Sequence, residues 1–449
     1  MVQLRNILSR LHGRANGDAH QEPSSADGAE HLVIIGNGIA GVTAARFVRK
    51  QSSTIRITVI SGETDHFYSR TALMYIYMGH MRYQDTKPYE DFFWPKNRID
   101  LVRDWVVRID VEGKEVHLKD SAPIQYDKLL IATGSTPRWF GWPGAELNGV
   151  QGLYGMPDLE QMEAATQGIT HAAVVGGGLI GVEMAEMLHS RGIHVTFLVR
   201  EPTYMSKVLP AEESAMVNRV IREHGIDLRL GEELAEIRGD RDGTAEQIVT
   251  KSGEVLPAQF VGITIGVVPN LSALAGSAIE TDRGVLVNAY LETNVPDVYA
   301  VGDCAQFRED GIGYKRIDQL WYTGRRQGKT VASSICGTRT RYTSSVFFNS
   351  AKFFNLEYQT YGTIAPNRPD GIESLYWEHP DQDQALRIDY EADSQAVVGF
   401  NMMGLRYRHD VCVTWIDQRA PLAHVVKHLA AANFDAEFSK RAELDALQA

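Results

Sequence analysis

The residues of this chain whose types and spacing could do chemistry are, first, two glycine runs. Gly36-Asn37-Gly38-Ile39-Ala40-Gly41 follows a short β-branched run at 31–35 and leads into helical periodicity at 42–50. Gly176-Gly177-Gly178-Leu179-Ile180-Gly181 repeats the arrangement, after an apolar run at 172–175 and before a helical stretch at 182–191. Both match G-x-G-x-x-G between strand and helix. The first glycine allows a tight turn, the second lets the backbone approach a pyrophosphate, and the third lets the helix lie close on the strand. Unpaired N–H groups at the helix start, at the positive end of its dipole, then meet the phosphate charge. One such run alone is weak evidence, whereas two complete copies in context point to two dinucleotide sites.

Each copy is followed by a second strand whose end should read an adenosine ribose. In the first unit the run 57–60 leads to Ser61-Gly62-Glu63, and Glu63 lies somewhat beyond the ~20-residue offset usual for an acid that accepts from ribose hydroxyls. In the second unit the strand at 194–199 ends in Arg200, with no acid at its last position. A guanidinium there suits a 2′-phosphate by bidentate pairing, with Lys207 assisting, which favours NADPH. Glu201 would instead serve an NAD ribose, and a solvated surface charge is an equally open reading of Arg200.

Further single residues carry weaker signals. Asp303 follows an apolar strand at a Gly302-Asp303 turn, and a buried carboxylate needs hydrogen-bond donors; capping of a following helix is a compatible role. Thr133-Gly134 closes another strand. Glu183 sits in the first turn of the second helix, where the dipole alone favours an acid. Met74, Met78 and Met81 recur at helical spacing beside Tyr77; such a stripe is usually core, and an adaptable docking surface for a partner or quinone is the alternative. The only cysteines, Cys304, Cys336 and Cys412, are widely separated. That argues against a disulfide framework, a dithiol centre or a cysteine-built metal site, and suits a reducing cytoplasm.

These residues must be positioned by a chain of 449 residues, 44% hydrophobic, long enough for two or three packed domains. Alternation of short strands with helical periodicity predicts an α/β protein with two Rossmann-like units. The first unit is expected over 31–151 together with 286–337, and the second over 152–285. Beyond Gly337, strands at 386–390 and 396–402 and a helical pattern at 422–431 predict an α+β domain over 338–449. The net charge of −12 makes nucleic acid an unsuitable partner. No apolar run approaches the ~20 residues of a membrane span. Residues 1–30 read as a disordered polar leader; Leu4, Ile7, Leu8 and Leu11 share one helical face, so peripheral membrane contact by residues 1–14 is the sharper alternative.

Taken with Leu129-Leu130-Ile131-Ala132-Thr133-Gly134 and the run from Thr293 to Asp303, the two units resemble the FAD-dependent pyridine nucleotide–disulfide oxidoreductase superfamily over residues 31–340. Within it, Phe67-Tyr68-Ser69-Arg70, Gly266-Val267-Val268-Pro269-Asn270 and Trp321 with Gln327-Gly328 are most similar to the ferredoxin, rubredoxin and nitrite reductase branch. The resemblance implies FAD on the first unit, NADPH or NADH on the second, and a C-terminal interface domain of the kind often used to form a homodimer. It implies that Asp303 accepts from the flavin's ribityl hydroxyls. Thr133, Gly134, Gly266, Gly302 and Trp321 are expected to line the cofactor sites, with Glu183 beside the nicotinamide carboxamide.

One departure is informative. Arg70 stands where disulfide- and peroxide-reducing members carry a redox cysteine, so no thiolate is available there for attack. The resemblance implies that Arg70 instead stabilises the reduced, anionic flavin. His379-Pro380, near the place of a helper histidine, reads as a polar turn. The expected activity is hydride transfer from NAD(P)H to FAD and electron transfer onward to an iron–sulfur protein, a quinone or dioxygen, in that order of preference. The rivals are a disulfide or peroxide reductase using a differently placed cysteine, and a redox-responsive FAD-binding protein that regulates a partner.

Overall fold

The computed structural model describes residues 28–308 and 317–434. The leader and its proposed membrane-contacting residues 1–14 therefore lie outside the described residues. Strand β1 (His31–Ile35) is buried at all five positions, as expected of a parallel strand covered on both faces. It leads through the first glycine run into helix α1 (Ile39–Gln51), which returns the chain to strand β2 (Arg56–Ser61). β1 pairs in parallel with β2 on one side and with Lys128–Ile131 on the other; Ile99–Arg103 and Val298–Ala300 complete the five-stranded sheet.

Helix α2 (Met156–Ala165) precedes the second unit, where β3 (His171–Val175), helix α3 (Leu179–Ser190) and β4 (His194–Val199) repeat the pattern. β3 lies between β4 and Phe260–Ile263 in a second parallel sheet. In both sheets the strand order reverses at the strand feeding the glycine run. The crevice beyond its carboxyl end is the place where open α/β sheets bind ligands. The fold is α/β with two Rossmann-like units, as the sequence predicts.

Two predicted boundaries shift. Val150–Gln151, expected in the first unit, pairs with Phe260–Ile263 and so belongs to the second sheet. Residues 271–285, expected in the second unit, contribute Ala273, Leu274, Ile279 and Val285 to the core of the first. The chain recrosses earlier than its strand pattern suggests. The crossing is an antiparallel ribbon, Ser135–Pro137 against Val267–Pro269, that joins the two units.

Helix α4 (Ala211–Glu223) closes the second unit, and helix α5 (Trp321–Ile335) packs along α1 in the first. The C-terminal five-stranded antiparallel sheet, with helices His409–Asp417 and Leu422–Lys427, has its own core around Tyr361, Phe400 and Trp415. Its other face joins the second unit: Phe353, Leu356, Tyr358 and Met403 share one buried cluster with Met184, Tyr204 and Met216. Met74 and Tyr77 enter the same cluster, so the methionine stripe is core at Met74. Among the described residues no helix is long and apolar enough to cross a membrane.

Candidate functional site

The two glycine loops have the same stereochemistry. Gly36 and Gly176 adopt φ of +111° and +122°, a region closed to most side chains, and a Cβ on either would meet the carbonyl oxygen of Ala132 at 2.1 Å or of Thr264 at 2.5 Å. A Cβ on Gly41 or Gly181 would lie 2.2 Å from the carbonyl oxygen of Gly36 or Gly176, so only glycine lets the helix sit this close. Gly38 and Gly178 differ, because a Cβ there would meet nothing within 4 Å. Both cap their helices without a side-chain hydrogen bond, and neither first turn carries an acid. The N–H groups around Ile39-Ala40 and Leu179-Ile180 thus open onto free space, and the residues present fit a dinucleotide pyrophosphate at each loop.

Beside the first loop, Asp303 is held at the turn after Val298–Ala300. Its Oδ2 accepts from Ser135 Oγ and Tyr154 Oη, each at 3.2 Å, and Gln319 donates to Ser135 Oγ at 2.8 Å. Burial raises the Asp303 carboxyl, partly offset by these donors. Gln327 Oε1 accepts from Gly302 N–H at 2.7 Å, which ties α5 to the same turn. Thr133 donates to the Asn270 carbonyl at 2.7 Å, while Gly266 has φ +104° and open space around it. Trp321 begins α5 and stands against Tyr322 and Arg325.

Glu63 was expected to meet a ribose, and the structure gives its carboxylate other partners. Arg70 pairs with it through both terminal nitrogens, at 2.9 and 2.7 Å, while Tyr68 Oη and Met156 N–H also donate to Oε1. Standing beyond the end of β2, the side chain turns towards the start of α2. Burial alone would raise this carboxyl, but the Arg70 charge and the hydrogen bonds hold it below its ordinary value. Arg70 also donates to the Tyr154 carbonyl at 2.8 Å, and its guanidinium lies 4.5 Å from the Tyr154 ring. Arg70 is therefore a neutralised, clamped cation linking the two units.

Glu183, which the structure places just beyond the first turn of α3 (Leu179–Ser190), has no hydrogen-bond or ion-pair partner among the described residues. Burial first, and the neighbouring Glu186 charge second, push its carboxyl up to about 8. Glu186 accepts from Phe354 N–H at 2.7 Å, which fastens the C-terminal domain to α3. Tyr204, fully buried, donates to the Gly178 carbonyl at 3.0 Å and braces the second loop. At the end of β4, Arg200 and Lys207 both approach Glu201 Oε1, at 3.0 and 2.8 Å, on an exposed rim. Arg200 and Glu201 thus form one cluster rather than alternatives.

Sequence reasoning missed Tyr154, Ser135, Glu186 and Tyr204. Ser135 directly follows the Thr133-Gly134 signal, but the others stand in no motif and act only through tertiary proximity. The three cysteines are unpaired, and burial raises each thiol, that of Cys412 to about 12. His379 accepts from Asp381 N–H at 3.0 Å, as in a polar turn.

A family model described as pyridine nucleotide-disulphide oxidoreductase matches residues 30–328. The NAD(P)H nitrite reductase of Bacillus subtilis (strain 168) is 33% identical over 334 residues, which is 74% of this chain but only 40% of that protein. The rubredoxin-NAD(+) reductase of Pseudomonas putida is 32% identical over 311 residues, 69% of this chain and 80% of that one. A crystal structure of a ferredoxin reductase from Rhodopseudomonas palustris superposes with a TM-score of 0.76 at 23% identity, covering 94% of this chain and all of that one, which shows the shared fold.

Proposed function

The chain belongs to the pyridine nucleotide–disulphide oxidoreductase family, and from that premise we propose that it oxidises NAD(P)H through FAD and delivers the electrons to an iron–sulfur protein. The observation that carries this reading is the pair of matched loops at two switch points, joined by a ribbon, with an arginine rather than a thiol between them. Bound FAD would accept a two-electron hydride and release electrons singly. The chain's own part is to bind, orient and exclude water.

The first loop and the turn at Gly302-Asp303 hold one dinucleotide, with the Asp303 carboxylate accepting from hydroxyls. The second loop, braced by Tyr204, holds the other. Glu183, neutral below about pH 8, donates a hydrogen bond to the carboxamide oxygen of the nicotinamide and fixes the ring's orientation. The Glu63–Arg70–Tyr154 clamp sets the approach of the two units. Arg200 and Lys207 read the ribose end of the second dinucleotide, with an added phosphate displacing Glu201 from them.

The thiol rival is disfavoured because burial holds all three cysteines protonated. Relatives named as a rubredoxin-NAD(+) reductase and as the ferredoxin reductase component of a dioxygenase favour an iron–sulfur acceptor over a quinone or dioxygen. Anaerobic mixing of the purified yellow protein with NADH or NADPH, followed by a [2Fe–2S] ferredoxin and a rubredoxin, tests the reading. Rapid bleaching of the flavin and reduction of an iron–sulfur protein are expected. A flavin that NAD(P)H does not bleach would overturn it.

A further inference from the structure

The acid expected to read a ribose beyond β2 is engaged elsewhere, since Glu63 accepts from Arg70, Tyr68 and the Met156 N–H. An indole stands at that end of the crevice instead. β2 and Ile99–Arg103 run in parallel with Ser61 opposite Arg103, and the Asp104 N–H donates to the Ser61 carbonyl at 3.1 Å. Trp105 therefore lies directly past the carboxyl ends of both strands. Its backbone is held on both sides. The Asp104 carboxylate accepts from the Trp105 N–H at 2.7 Å, and the Trp105 carbonyl accepts from the Lys119 N–H at 2.9 Å.

The side chain rests on Gly62. A Cβ there would meet Cδ2, Cε2 and Cε3 of the indole at 2.1, 2.4 and 2.5 Å, a point above the ring face, so any larger residue would lift the ring. The turn beneath is fixed as well: Arg103 Nε donates to the Gly62 carbonyl at 3.2 Å, and Ser61 Oγ accepts from the N–H groups of Glu63 and Thr64 at 3.3 and 3.4 Å. With one face on glycine, Trp105 is still 49% exposed. In open α/β sheets of this kind the adenosine ribose lies at the end of the second strand, so its base reaches over this same place. An aromatic face left to water there, and already fixed from below, has the form of a stacking platform. A base that covers it gains apolar contact, and the ring gives up little freedom in return.

We infer that Trp105 is the shelf on which the adenine of FAD stacks, with Gly62 kept small to seat it. The inference rests on the first loop as the FAD site and deepens it, naming what selects the adenine half once Glu63 is taken up by Arg70. The test equilibrates the full-length, flavin-loaded protein with mixtures of FAD and FMN, and the flavin retained by the protein is then identified by chromatography. The parent should strongly prefer FAD. W105A should lower that preference by about ten- to a hundredfold. G62A, which keeps the tryptophan but lifts its ring, should act in the same direction. W105F should hold most of the preference, whereas W105L, apolar but without a π face, should not. An unchanged preference in W105A and G62A, or retention of FAD and FMN weakened by the same factor, would overturn the shelf while leaving the FAD site standing. A parent that takes FMN as readily as FAD would instead overturn the dinucleotide reading of the first loop on which the inference rests.

Discussion

At the scale of the residue, recognition and proton control fall to different side chains, Arg200 and Glu183. Arg200 meets Glu201 on an exposed rim, so its charge is available to a 2′-phosphate at little cost. A charge-assisted contact to phosphate contributes on the order of 1.5–3 kcal/mol. Arg200→Ala should therefore lower kcat/KM for NADPH by roughly ten- to a hundredfold while NADH changes little, read from initial rates with ferricyanide. Glu183 gives a pH signature of definite sign. Its carboxyl, lifted from 4.5 to about 8, stays neutral at pH 7, so KM for the nicotinamide coenzyme should rise as pH passes through 8. Glu183→Gln should keep the low-pH KM and flatten the profile. The same substitution should leave stability unchanged below pH 4.5, where the acid is protonated folded and unfolded alike. It should stabilise the protein relative to the parent increasingly up to pH 8, because only the parent's unfolded state gains by ionising there. Gly36, Gly41, Gly176 and Gly181 were legible in the sequence because a positive φ or a close carbonyl leaves no other choice. The partners of Glu63 were not, since nothing local announces that Arg70 and Met156 N–H converge on a carboxylate beyond the end of β2.

At the scale of the element, two contacts position the site. A Cβ on Gly328 would lie 2.4 Å from the Ala40 carbonyl, so Gly328→Ala must push α5 off α1. The displacement carries the start of α1 away from the first loop. A loss of about 1–3 kcal/mol is expected, with faster flavin release seen as a lower ratio of visible to ultraviolet absorbance. On the other side, Arg387 of the C-terminal sheet is buried against α4, its Nε 2.6 Å from Glu213 and its Nη2 2.8 Å from Glu212. Arg387→Ala would strand the Glu213 charge in the interior and should cost on the order of 3–5 kcal/mol in denaturant unfolding. The pair R387M/E213L should recover most of that loss. Strand and helix order in the two dinucleotide units followed from hydrophobic periodicity. The short strand Val150–Gln151 and the early return at 271–285 did not, because both are decided by which sheet offers a partner rather than by their own pattern.

At the scale of the whole molecule, two ligand-binding crevices face a shared ribbon, and the C-terminal sheet closes on the second unit through Arg387 and through the Phe354 N–H that Glu186 accepts. The fold class and both crevices were readable from the sequence, since repeated glycine loops in strand–helix context leave few architectures. The attachment of the C-terminal sheet was not, because it rests on buried residues scattered over separate segments. Replacing Cys304, Cys336 and Cys412 by serine should leave flavin reduction by NAD(P)H intact, as burial keeps these thiols protonated and none lies in the Arg70 clamp. The central claim is that electrons pass from nicotinamide to flavin and outward with no thiol store between. Anaerobic titration of the oxidised parent protein with NAD(P)H, followed by the flavin's visible band, tests this most directly. One equivalent of coenzyme per FAD should complete the reduction; uptake of a second equivalent, with the appearance of new free thiols, would contradict the account.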